Sequence, residues 1–329
     1  MVTLITGASG FVGLNITEKF LSEGHKVVMF DASTSLPGDA VATFANLGGD
    51  YTYVQGDVLE AKLLQSVLRD HDITHVIHTA AITPGNKREQ QDAKHIMQVN
   101  LLGTLEVIEA SLHHGVKRLV YPSSASVYGD NSYDHELLDE LNTIPLPRAT
   151  YAISKYAAER YVLRARQLWG LDAVVARVGA VFGPWEHDTG VRDTLSGPML
   201  ASRLAVLKQE AVLPRPGPRD WVYSRDVAKA FFHLLLNEDL HYQLYNVSAG
   251  NRWTVEDWCQ KLAERFPDFT YKFANDSNTP NISFGARDRS PLSIKRLTSD
   301  VMTPSFGLDA AFADYMAWID EHSDFWVGS

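Results

Sequence analysis

Apolar positions along the first half of the chain switch repeatedly between a short buried run and a helical period. Val2, Leu4 and Ile5 form one such run, the chain turns through Gly7, Ala8, Ser9 and Gly10, and apolar spacing resumes with Phe11, Leu14, Ile16 and Phe20. Further strands are predicted at 26–30, ending at Asp31; at 51–55, followed by Gly56-Asp57-Val58; at 74–78, running into Thr79-Ala80-Ala81; at 118–121, ending at Pro122-Ser123-Ser124; and at 172–177. Between them the pattern predicts helices over 60–69, 92–114 and 149–170. Alternating strands and helices imply an α/β fold with a doubly wound parallel sheet covered on both faces. Ligands of such sheets bind at the carboxyl ends of the strands, the rim on which Asp31, Asp57, Ala80, Ser124 and Arg177 fall.

The second half changes character. Gly and Pro crowd the stretch from Val181 to Arg219. Short strands follow at 221–223 and 245–247, with an apolar helix over 227–236 between them. A helix over 254–266 has Thr254 as its N-cap and Asp257 as capping-box partner. The stretch 275–288 reads as a loop, and 310–321 as a closing helix. These features predict a dinucleotide-type domain over 1–180, with return elements near 221–248, and a mainly substrate-binding lobe over 181–329.

Composition narrows the class. The 329 residues are 45% hydrophobic and 21% charged, as in a globular protein. A net charge of -10 argues against nucleic acid as a partner, because a phosphate backbone needs a basic surface. No apolar run approaches the ~20 residues that cross a bilayer, and an acidic chain has no attraction for anionic membranes. The single cysteine, Cys259, falls in a helical core pattern and excludes both an intrachain disulfide and a cysteine metal cluster. With the first strand opening at residue 2, no leader is expected, and a reducing cytoplasm is the expected compartment.

The chemistry gathers on the strand ends. Gly7 permits a tight turn, Gly10 lets a pyrophosphate approach backbone, and Gly13 lets the helix pack on its strand. The helix N-terminus then offers free N–H groups to phosphates. Asp31, 18 residues past Gly13, suits the hydroxyls of an adenosine ribose and repels a 2′-phosphate, favouring NAD over NADP; it is also good turn chemistry. Asp57 and Val58 suit an adenine or, equally, a turn. Tyr151 and Lys155, four apart, share a helix face. A lysine ammonium, with a nicotinamide cation, would favour the phenolate and equip Tyr151 to take a proton from a sugar hydroxyl as hydride leaves. Ser124, on its strand end, can hydrogen-bond the reacting oxygen.

These segments together resemble the extended short-chain dehydrogenase/reductase family, in its NAD-dependent epimerase/dehydratase branch, with a Rossmann-type fold. The resemblance is carried by Thr6-Gly-Ala-Ser-Gly-Phe-Val-Gly13, Gly56-Asp-Val58, His78-Thr-Ala-Ala81, Val99-Asn100-Leu-Leu-Gly-Thr104, Tyr121-Pro-Ser-Ser-Ala-Ser-Val-Tyr-Gly129, Tyr151-Ala-Ile-Ser-Lys155, Arg177-Val-Gly-Ala-Val-Phe-Gly-Pro184 and Arg219-Asp-Trp-Val-Tyr-Ser-Arg-Asp-Val-Ala228. It implies Gly7, Gly10, Phe11, Val12 and Gly13 at the pyrophosphate, Asp31 at the ribose, Asp57 and Val58 at the adenine, and Ala80 and Ala81 along the cofactor, with Asn100 nearby supporting it. It implies Ser124, Tyr151 and Lys155 as the catalytic set, Ser126 beside them, and Arg219 with Arg289 (or Arg287) on a substrate diphosphate. It also implies a homodimer through the helices 92–114 and 149–170, and no metal.

Two departures bear on substrate. Ala180 stands where the family's nucleotide-sugar enzymes carry a substrate-binding Asn, and the 210–218 loop is short. The 185–192 loop, with Arg192, then becomes a candidate for recognising a smaller molecule. Ala125-Ser126 replaces the Asp-Glu pair of the dehydratases, which speaks against dehydration. The readings are therefore a nucleotide-sugar epimerase-type reaction, a dehydrogenase of a free sugar or sugar acid that releases NADH, and, remotely, a non-catalytic NAD-binding protein.

Overall fold

The structure, a computed structural model, describes residues 1–285, 287–322 and 325. Eleven strands are found among the described residues: β1 (Val2–Thr6), β2 (Lys26–Asp31), β3 (Tyr51–Gln55), β4 (His75–His78), β5 (Arg118–Ser124), β6 (Ala173–Val178), β7 (Ala180–Phe182), β8 (Ala211–Leu213), β9 (Trp221–Tyr223), β10 (Leu244–Val247) and β11 (Tyr271–Phe273). The helices are α1 (Phe11–Ser22), α2 (Gly38–Phe44), α3 (Ala61–Asp70), α4 (Asn86–Met97), α5 (Gly103–His113), α6 (Thr150–Trp169), α7 (Gly197–Val206), α8 (Ser224–Leu236), α9 (Val255–Arg265), α10 (Lys295–Asp300) and α11 (Leu308–Glu321).

Seven strands form one parallel sheet in the order β10-β6-β5-β4-β1-β2-β3. Parallel strands need both faces covered, and the burial of every residue of β6 shows that they are. One apolar cluster joins α1 and α8 to the lower C-terminal half; the other packs α3, α5 and α6 against the opposite face. The order reverses between β1 and β4, whose carboxyl ends open a crevice where such sheets bind ligands.

The expected elements of the first half are present, with one correction. The helix expected over 92–114 starts at Asn86, has non-helical dihedrals at Asp92, and passes through a π-helical turn at Gln98–Leu102 before α5. The turn carries Asn100, whose buried amide explains the irregularity: its Oδ1 accepts from Ile82 N at 2.7 Å, and its Nδ2 donates to Ile82 O at 3.0 Å and to Ser154 Oγ at 3.1 Å. A π-turn re-aims one side chain without ending the helix. In the second half, β7, α7 and β8 lie within the Gly/Pro-rich stretch, where Ser196 caps α7 and Pro198 occupies its first turn. The capping box of Thr254 and Asp257 is formed, and Cys259 is buried. No regular element occurs over the described residues of 275–288.

Candidate active site

The crevice is a cleft of ≈ 1300 Å³ that runs from Asp31 past the glycine turn to Arg289. At its floor Gly7 has φ +67°, and a Cβ there would lie 2.5 Å from Ala80 N. Only glycine lets the turn pass under the end of β4. A Cβ on Gly13 would meet Gly7 O at 2.3 Å, so α1 can pack against the turn only with glycine there. Gly10, Phe11 and Val12 line the same wall. The chain thus presents a helix start to the cleft with no side chain in the way, which fits a pyrophosphate.

Asp31 closes β2. Its Oδ2 accepts from Ser9 N and its Oδ1 from Ser33 N, both at 2.9 Å. The carboxylate therefore ties the glycine turn to the strand end while its remaining lone pairs face the cleft. Asp57 makes a similar local bond, accepting from Leu59 N at 2.9 Å, and it lines the cleft with Val58, Ala80 and Ala81. Asn100 does not line it. Its bonds to Ile82 and Ser154 hold the wall from behind.

Ser124, Tyr151 and Lys155 converge where β5 meets the start of α6. Ser124 caps the 3-10 turn after β5, accepting from Ser126 N at 3.2 Å and from Ser126 Oγ at 2.9 Å. The Ser124 hydroxyl also faces the Tyr151 phenol across the cleft wall. Burial pushes the phenol above its ordinary pKa, opposed by Ser124, by the Arg192 charge and by the Thr83 hydroxyl. Lys155 Nζ lies 4.2 Å from the centroid of the Tyr121 ring. The protein's own groups thus do not produce the lowering expected from Lys155, because the cost of burying a phenolate outweighs what they return.

Burial also pulls the Lys155 pKa down to about 7, and Glu159 one turn further along α6 opposes it. Glu159 is fully buried; it accepts from Arg177 Nε at 3.0 Å and Nη2 at 2.6 Å, and from Ser123 Oγ at 2.7 Å. Arg177 in turn lies 4.7 Å from the Tyr128 ring centroid. Sequence reasoning missed Glu159, although its spacing of four from Lys155 was the available signal.

The lowered Lys155 pKa has a consequence for stability. Between about pH 7 and the unfolded value the unfolded chain binds the extra proton, so this group's contribution rises with pH. Lys155→Met, without added NAD, is expected to unfold at a higher temperature than the parent near pH 6.5. That gain should shrink as pH climbs toward 10, and a gain that grows with pH would contradict the burial described. Thermal melts across pH read this out.

At the far end of the cleft, burial lowers the Arg219 pKa to about 10, helped by repulsion from Arg289 and Arg215. Arg219 and Arg289 both line the cleft. Arg287 instead lies 4.0 Å from the Tyr133 ring centroid, which leaves Arg289 as the second arginine of the site. Arg192 and Ala180 line the middle. No group of acidic, His or Cys side chains able to hold a metal occurs among the described residues.

A glycine turn at the β1–α1 switch point, a carboxylate closing β2 and a Ser-Tyr-Lys set at the end of β5 define an oxidoreductase-type Rossmann enzyme for a dinucleotide. The profile of the NAD dependent epimerase/dehydratase family matches residues 3–248. The chain belongs to that family and is an NAD-dependent enzyme of the extended short-chain dehydrogenase/reductase type. It is 30% identical to the UDP-glucose 4-epimerase of Mycolicibacterium smegmatis over 236 residues, 70% of this chain and 72% of that protein. It is 27% identical to a putative UDP-glucose 4-epimerase of Methanocaldococcus jannaschii over 77% of this chain and 79% of that one. Among solved structures, the Thermotoga maritima UDP-glucose 4-epimerase with UDP-glucose superposes with a TM-score of 0.80 at 21% identity, covering 98% of this chain and 99% of that one. The Stenotrophomonas maltophila UDP-glucose 4-epimerase with NAD and formylated UDP-arabinopyranose gives 0.81 at 20%, covering 99% of both. No helix among the described residues is long and apolar enough to cross a membrane.

Proposed function

We propose that the chain binds NAD in the cleft and oxidises a carbinol of a nucleotide sugar, in an epimerase-type reaction. The observation that carries this is one continuous cleft with the glycine turn at one end, Ser124, Tyr151 and Lys155 in the middle, and mutually repelling Arg219 and Arg289 at the other. Repelling half-buried arginines are costly unless an anion joins them, and a diphosphate supplies that charge. The names of the relatives point the same way.

In this reading Gly7, Gly10, Phe11, Val12 and Gly13 hold the pyrophosphate, and Asp31, Asp57 and Val58 the adenosine, with Ala80 and Ala81 along the wall. NAD when bound supplies the hydride acceptor. Tyr151 takes the carbinol proton, Ser124 orients the carbinol oxygen with Ser126 behind it, and Lys155 holds ribose hydroxyls. Arg219 and Arg289 fix the diphosphate, and Arg192 borders the reacting sugar. The division into residues 1–180 for cofactor and mainly 181–329 for substrate follows from these roles. A homodimer through α4–α5 and α6, which leave Leu102, Ile153 and Trp169 exposed, and a cytoplasmic setting belong to the same proposal.

A second reading, a dehydrogenase of a free sugar or sugar acid, is favoured by Ala180 in the cleft wall, where a nucleotide sugar would find no amide. A thermal shift separates the two: UDP alone should raise the unfolding temperature through Arg219 and Arg289, and no shift at millimolar UDP would favour the second reading. Asp31→Ala should relax the cofactor preference toward NADP. An unmodified enzyme that already prefers NADP would contradict the role given to that carboxylate.

A further inference from the structure

The glycine turn offers a pyrophosphate only backbone N–H groups, and a dianion held by dipoles alone is better held with a cation beside it. Among the described residues, the lysines and arginines that line the cleft are Arg148, Lys155, Arg192, Arg219 and Arg289. Arg148 pairs with Asp130, Lys155 lies against Tyr121, and Arg219 and Arg289 repel each other at the far end. Arg192 is the one set against the glycine turn. Its guanidinium carbon lies 5.1 Å from the ring centroid of Phe11, the first residue of α1. The fully buried Glu186 takes its Nη2 at 2.8 Å, Nη1 makes no bond among the described residues, and the side chain keeps 21% of its surface open.

Arg192 is carried there by a strap, residues 186–196 between β7 and α7, whose His187, Thr189 and Val191 also line the cleft. The strap does not end in solvent. It is joined to the segment that follows β4 on the cofactor half: Thr83 and Arg192 pair as an isolated parallel bridge, in which Thr83 N donates to Val191 O at 2.8 Å and Asp193 N to Thr83 O at 3.0 Å. Behind this bridge, Arg88 in the first turn of α4 donates from Nε and Nη2 to the two carboxylate oxygens of Asp193, both at 2.7 Å, and Gly85 N adds a bond at 2.9 Å. Such a fork fixes direction as well as distance. At the root of the strap Trp185 is fully buried with φ +66°, a conformation that persists in a bulky residue only where its surroundings hold it.

We propose that the strap is a clasp over the dinucleotide and that Arg192 is its charged contact, the guanidinium meeting the cofactor pyrophosphate at the start of α1. The inference rests on NAD lying in the cleft with its pyrophosphate at the glycine turn, and on nothing about the sugar. Glu186 neutralises the guanidinium only in part, because its carboxylate also accepts from Ser196 N at 2.8 Å and Ser196 Oγ at 2.6 Å. Held on one side by Glu186, the planar group is already oriented when the phosphate arrives and loses little freedom on binding it. For the dinucleotide to leave, the strap and the segment after β4 must part, which breaks the Thr83 bridge and the Arg88 fork. Arg88 does not line the cleft. With Asp193 it therefore governs the release of the cofactor through the strap, as the hold on a lid governs its opening.

Binding and release of NADH, followed by its fluorescence in the full chain without any sugar, test this. Arg192→Gln should weaken NADH binding about 10- to 100-fold, the range for a hydrogen bond between charged groups. Arg192→Lys should keep most of the affinity, because a phosphate also accepts a point charge. The thermal shift given by UDP should be the same in Arg192→Gln as in the parent. When bound NADH is chased with excess NAD, Arg88→Ala and Asp193→Ala should each release it about two- to fivefold faster, and the double variant no faster than either single. NADH affinity unmoved by Arg192→Gln overturns the contact. So does a lysine variant as weak as the glutamine one, or a loss that falls on UDP and spares NADH, which would give the guanidinium to the substrate's diphosphate. Release unchanged in Arg88→Ala overturns the clasp, and this series still decides should Arg192→Gln not fold. Each of these failures leaves the proposed function standing; that function fails separately, by turnover retained in Tyr151→Phe.

Discussion

Tyr151→Phe is expected to lower kcat by about 10²- to 10⁴-fold, the range supplied by a positioned general base, while NAD affinity changes little. The phenol lines the cleft beside Ser124, which is itself hydrogen-bonded to Ser126. Removing its oxygen leaves the ring to pack as before, so the glycine turn, Asp31 and the wall at Ala80 and Ala81 stay in place. The measurement is a pair: turnover with a saturating sugar substrate, and NAD binding by calorimetry. Loss of both together would mean that the tyrosine shapes the cofactor site and is not the base.

The second large effect is on stability. Glu159→Ala should destabilise the fold by roughly 3–5 kcal/mol, the usual result of leaving one member of a buried ion pair without its partner. Arg177, 3% exposed, would keep its charge with no carboxylate to receive its two N–H bonds. Ser123 would lose its acceptor on the same stroke. Denaturant unfolding of the parent and the variant compares the two. The pair Glu159→Gln with Arg177→Met should recover much of the loss, because it removes both charges at once. A single Glu159→Ala variant within ~0.5 kcal/mol of the parent, as for an ordinary surface site, would show the pair to be solvated.

The sheet was legible in the chain because its central strands are largely buried. Runs such as Ala173–Val178, apolar nearly throughout and bounded by turn residues, leave little choice of element. The glycine turn was legible because sterics admit only glycine at Gly7. Other features depend on contacts distant in sequence. The π-turn at Gln98–Leu102 exists because Asn100 reaches Ile82 and Ser154, and no local periodicity announces that. The strap is similar: a stretch rich in Gly and Pro reads as irregular, yet Asp193 is fixed by Arg88, 105 residues earlier. The depth of Lys155 was not legible either: burial pulls its pKa down to about 7, and spacing carries no information on burial. Arg219 and Arg289 both line the cleft, but their mutual repulsion, which makes an anion's arrival favourable, needed their positions in space.

The central claim is that hydride leaves a nucleotide-sugar carbinol and returns to it. The most direct measurement incubates the purified protein with NAD and a UDP-hexose, following sugar stereochemistry by proton NMR and NADH by absorbance in the same sample. The account predicts interconversion of the carbinol epimers without net NADH, abolished in Tyr151→Phe. Stoichiometric NADH from a free sugar or sugar acid, with the UDP-sugar left untouched, would contradict it.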